Sequence, residues 1–103
     1  MGRRTPEQSV QGPIVDWLKE HDYTKGYPLI YHVRSGQSGE PIGAADIWCS
    51  VKGTHIEIEV KSIDGSRTTQ QERWERICKL TQIPYTYVNS FESFLEFILP
   101  YLD

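Results

Sequence analysis

Two acids, Asp46 and Glu59, sit in the stretch GAADIWCSVKGTHIEIEVKS, residues 43–62. Residues 44–51 and 54–62 are rich in Ile, Val, Trp and Thr and meet at Lys52-Gly53, the pattern of two strands joined by a short hairpin loop. With a two-residue loop, Val51 pairs with Thr54, Trp48 with Glu57, Asp46 with Glu59 and Ala44 with Lys61. A three-residue loop would shift the register and undo these pairs. Side chains alternate along a strand, so Glu57, Glu59 and Lys61 share one face and Ile56, Ile58 and Val60 the other, with Asp46 on the side of Glu59. Like charges in opposed positions destabilise a sheet pair. A bound hard cation would compensate, and oxygen ligands of this kind suit Mg²⁺, with Mn²⁺ able to substitute. Glu57, nearer the turn and paired with Trp48, reads as a solvated rim residue.

The elements that must position these residues follow from periodicity. Thr5-Pro6-Glu7-Gln8 opens a helix with a Thr cap, proline at the first helical position and Gln three after the cap. Val10, Ile14, Trp17 and Leu18 recur on one face, which Glu7 shares. Pro13 is expected to kink or restart that helix. Residues 27–34 read as a strand and residues 35–43 as a mobile loop before the hairpin. Thr69 and Glu72 form a capping box for a helix over residues 70–81, with Trp74, Ile77, Cys78 and Thr81 facing inward. Residues 84–88 read as a short strand, and Asn89 or Ser90 caps a last helix whose inward face is Phe94, Leu95, Ile98 and Leu99. The order is αβββαβα.

A chain of 103 residues is enough for one domain with its own core, and no second domain is expected. Its 38% hydrophobic and 24% charged residues describe a globular chain, without a run long enough to cross a bilayer. The start MGRRTPEQ lacks an apolar core of a signal peptide, so an intracellular, cytoplasmic location is expected. Cys49 and Cys78 lack zinc spacing and read as buried free thiols. His21, His32 and His55 likewise lack ligand spacing. The net charge of −3 is unlike generic nucleic-acid binders, but Lys61, Arg67, Arg73, Arg76 and Lys79 fall in one short stretch.

The segments GAADI, IEVK and DGSRTTQQERW, in that order, resemble the PD-(D/E)XK nuclease superfamily and, within it, the compact VRR-NUC group, whose pattern is an early Glu, a G-x-P-D segment, an E-V-K strand and a helix opening with Gln and an aromatic three residues later. The resemblance runs from Glu7 to about Val88. It implies a restriction-endonuclease-like αβββαβ core, a mixed central sheet flanked by helices. By position it makes Asp46 and Glu59 metal ligands, Lys61 the active-site lysine, Gln71 the helix glutamine and Glu7 the early glutamate that acts on a metal-bound water or a second ion. Ala45 stands where the family usually has proline, which shapes the strand entry and is not a ligand.

The implied activity is Mg²⁺-dependent hydrolysis of DNA phosphodiester bonds. Lys61 would neutralise the phosphate or hold the attacking water, and Gln71 would orient a ligand or Lys61. With few side chains to spare for base edges, recognition by backbone and shape is expected: a structure-specific endonuclease for branched DNA such as Holliday junctions, working as a homodimer and compatible with a phage origin. Arg67, Arg73 and Arg76, on the outward side of the helix after the active strand, are candidates to track the phosphate backbone. The alternatives are a catalytically inactive DNA-binding or scaffold module of the same fold, and a restriction-type enzyme reading a fixed sequence. Trp17 and Trp74 read as core residues.

Overall fold

The structure is a computed structural model, and it describes residues 6–34, 41, 43–62 and 64–103. Thr5, the Arg3-Arg4 pair and the greater part of the 35–43 loop lie outside the described residues.

Helix α1 (Pro6–Glu20) leads through a short 3-10 turn (Tyr23–Lys25) to strands β1 (Leu29–Val33), β2 (Ile47–Val51) and β3 (Thr54–Val60), then α2 (Thr69–Leu80), β4 (Tyr85–Val88) and α3 (Phe91–Leu102). The four strands form one sheet in the order β1-β2-β3-β4. β1–β2 and β2–β3 are antiparallel and β3–β4 is parallel. The parallel pair requires a crossover, and α2 lies in it. Among the described residues this is a mixed α/β fold with a mixed sheet and three α-helices.

The hairpin turns at Lys52 and Gly53, whose φ angles of 51° and 85° are those of a two-residue primed turn. The register is the expected one, with Val51 opposite Thr54 and Trp48 opposite Glu57. One expectation is corrected. The ladder stops at Ile47–Ile58, so Asp46 is the residue just beyond β2 and is not a strand partner of Glu59.

Leu29, Ile47, Cys49, Val51, Ile56, Ile58, Val60 and Val88 form a single apolar face that packs on Ile14 and Leu18 of α1 and Phe94 and Ile98 of α3. That packing explains why α1 continues through Pro13 as one helix and does not restart there. Most helical stability comes from burying one face, and Ile14 and Leu18, both fully buried, anchor the helix just after the proline. Other corrections are local. β1 is shorter than expected because the 3-10 turn, capped by Asp22, occupies the approach to it. Ile77 and Leu99 are 38% and 44% exposed, and Thr81 is the exposed C-cap of α2 rather than an inward residue. Cys49 and Cys78 are buried free thiols, as expected. Among the described residues, no helix is long and apolar enough to cross a membrane.

Candidate active site

The other face of β3 carries charge into the interior. Glu57 and Glu59 are each 1% exposed and Lys61 is 8% exposed. Alternation puts all three on the side of α2, opposite Ile56, Ile58 and Val60.

Glu59 is the centre of the site. Its Oε2 accepts a hydrogen bond from Gln71 Nε2 at 3.1 Å and lies 4.0 Å from Lys61 Nζ. Its Oε1 is buried and meets no donor. Asp46 stands beside it, with Oδ2 accepting from the Val60 backbone N–H at 2.8 Å. An acceptor cannot satisfy another acceptor, so the two carboxyl groups hydrogen-bond only when one of them carries a proton. Burial first, then the Asp46 carboxyl and its charge, push Glu59 up to about 9, against the pull of Lys61 and with a smaller push from Glu7.

Gln71 reaches Glu59 because of how α2 begins. The N-cap is Thr68, one residue earlier than expected, and the capping box is Thr68–Gln71 rather than Thr69–Glu72. Gln71 Oε1 accepts from the Thr68 N–H at 2.9 Å while its Nε2 is turned to Glu59. The cap therefore fixes the amide that holds the acid. Glu7, in the first turn of α1, adds its charge to the field at Glu59 and lines an open cavity with Gln8, Gln11 and Ser62. Among the described residues, however, no three acids, histidines or cysteines gather into a metal-holding cluster.

The residues fit a hard cation on two observations: a buried carboxylate oxygen without a donor, and two neighbouring acids whose mutual repulsion a cation would relieve. Two carboxylates suffice for Mg²⁺, which keeps several waters and completes its octahedron from substrate phosphate. Asp46 and Glu59 would hold it, with Glu7 acting through water.

Glu57 is not the solvated rim residue expected. Arg34 grips it through Nη1–Oε1 at 2.5 Å and Nη2–Oε2 at 3.1 Å, Trp74 Nε1 donates to Oε1 at 3.1 Å, and His55 Nε2 contacts Oε2. A buried carboxylate demands such partners. Trp74, half-buried, thus uses its indole N–H as well as its rings. Strand parity gave a sign of this, since it puts Glu57 beside Glu59; Arg34 was missed because its partner is far away in sequence.

Arg67, just before α2, pairs with Glu75 at 2.6 Å and lies 4.8 Å over the Tyr87 ring. Arg73 and Arg76 are exposed on α2, as expected. Compared with protein-family models, curated proteins and solved structures, the chain matches none.

Proposed function

We propose that the chain is a metal-dependent endonuclease of the VRR-NUC type that hydrolyses DNA phosphodiester bonds. The observation that carries this reading is the buried Glu59, with Lys61, Gln71 and the half-buried Asp46 around its one orphaned carboxylate oxygen. Burying charge costs free energy, and a site for a cation gives these acids a reason to be there.

When bound, Mg²⁺ or Mn²⁺ supplies Lewis-acid charge at the phosphate and an acidified water. The chain's own residues do the rest. Asp46 is fixed by the Val60 N–H and Glu59 by Gln71, so both present their oxygens without reorganising. Lys61, held close to Glu59, offers its ammonium to a phosphate oxygen or to the attacking water. Arg73 and Arg76 run along the exposed side of α2 and bind backbone phosphates without reading bases. The substrate class that suits such shape recognition is branched DNA, the Holliday junction above all, cut by a homodimer with one site for each strand.

A cleavage assay on a four-way junction, a linear duplex and a single strand, with and without Mg²⁺, tests the reading. Mg²⁺-dependent cutting of the junction is expected. Junction binding with no cleavage in any divalent metal would favour the alternative, a catalytically inactive DNA-binding module.

A further inference from the structure

Asp46 lies past the last pair of the β2–β3 ladder; on its other side it continues the β1–β2 pairing by one step, opposite Arg34. Arg34 holds this segment through its backbone and, independently, through its side chain. The Arg34 N–H donates to the Asp46 carbonyl at 2.7 Å, and its guanidinium Nη1 donates to the Ala45 carbonyl at 2.9 Å while gripping Glu57. Glu57 in turn accepts from Trp74, three residues after Gln71 on α2. Two rungs therefore join β3 to α2, Glu57 to Trp74 and Glu59 to Gln71. The segment carrying Asp46 also touches α2 directly. At Gly43, with φ of 80°, an added Cβ would lie 2.5 Å from the Gln70 backbone.

We propose that the Arg34–Glu57–Trp74 cluster, built on the buried Glu57, is the positioning device of the site, setting the spacing of Asp46 and Gln71 about Glu59. The inference rests on the metal-dependent reading above and goes beyond it, since none of these residues belongs to the acid–lysine–glutamine set. Stability does not account for the cluster. A buried ion pair is commonly replaced by apolar side chains of similar volume with little loss or a gain. Geometry does account for it: a planar fork reaches a carboxylate and a carbonyl together, which a lysine ammonium cannot do. Arg34 also lies 5.6 Å from the centre of the Trp74 ring, a cation–π contact that ties the guanidinium to α2 as well as to Glu57.

The test measures Mn²⁺ affinity by electron paramagnetic resonance without DNA, alongside thermal melting. Arg34→Met/Glu57→Leu, which removes both charges, is expected to melt within about 5 °C of the wild type yet to bind Mn²⁺ about 10- to 100-fold more weakly, the range for residues that orient metal ligands. Arg34→Lys, checked by circular dichroism to be folded, is expected to show the same loss of affinity, and Trp74→Phe a loss near the lower end. Folded variants with wild-type Mn²⁺ affinity overturn the inference and leave the nuclease reading standing; if the double variant does not fold, Arg34→Lys and Trp74→Phe decide alone. If Asp46→Asn binds Mn²⁺ as the wild type does, the metal reading itself has failed, and the inference falls with it.

Discussion

The two faces of β3 are built from neighbouring residues and do opposite work. Ile56, Ile58 and Val60 point to α1 and α3 and join a wholly apolar cluster. Glu57 and Glu59, one step along the same strand, and Lys61, just past its end, are almost as deeply buried against α2, where each requires partners. Apolar burial is favourable without directional demands, so the first face stabilises the fold. The second face is stable only if every charge is answered, and Glu59 Oε1 is not. Burial alone therefore does not tell the two faces apart; the demand of each buried charge for a partner does.

Substitutions on the polar face are expected to have the largest effects. Asp46→Asn and Glu59→Gln are expected to abolish Mg²⁺-dependent cleavage while DNA binding, read by gel shift, stays near wild type. Lys61→Ala should lower turnover by about 3 kcal/mol of transition-state stabilisation, roughly 100- to 1000-fold, with little change in Mn²⁺ affinity. Full activity in any of the three removes that residue from the site.

On the apolar face the expected loss is of stability. Ile58→Ala, at a position with no exposure, should cost about 2–5 kcal/mol in urea unfolding. A loss under about 1 kcal/mol would mean that the sheet tolerates a cavity there as it does not in other cores.

A subtler contrast appears with pH. In the metal-free protein, Glu59 titrates at about 9 in the folded state against 4.5 for a free glutamate. The folded state therefore holds the proton more tightly than the unfolded one, so this contribution is fully present below about pH 4.5 and is lost as pH rises towards 9. Melting temperatures in chelator should fall across that window for the wild type and much less for Glu59→Gln, and Mg²⁺ should restore the wild type at the alkaline end. Parallel curves for the two proteins in chelator would show that Glu59 is ionised without cost.

The smallest expected effect lies outside both faces. Arg73→Ala/Arg76→Ala should weaken binding to every DNA shape alike and reduce the salt slope by about one unit for each phosphate that is no longer neutralised. An unchanged slope would make this side of α2 a solvated surface.

Much of the architecture was legible because it depends on neighbours along the chain. The Lys52-Gly53 turn sets the register of β2 on β3, and periodicity placed the helices to within a few residues. Gln71 was found as well, although its reach to Glu59 depends on the cap falling on Thr68 instead of Thr69. Both threonines can cap, and local chemistry does not separate them.

Strand alternation, the turn, and the acids and lysine that share one face could all be read from the residues alone, since they follow from a backbone period of two and from a glycine able to take positive φ. Which charges are buried, and which groups answer them, depended on the tertiary fold. Glu57 is a core residue only because Trp74 and Arg34 arrive from α2 and the end of β1, and α1 passes through Pro13 only because the sheet buries Ile14 and Leu18. Burial and electrostatic pairing are sums over segments distant in the chain, and no local pattern carries them.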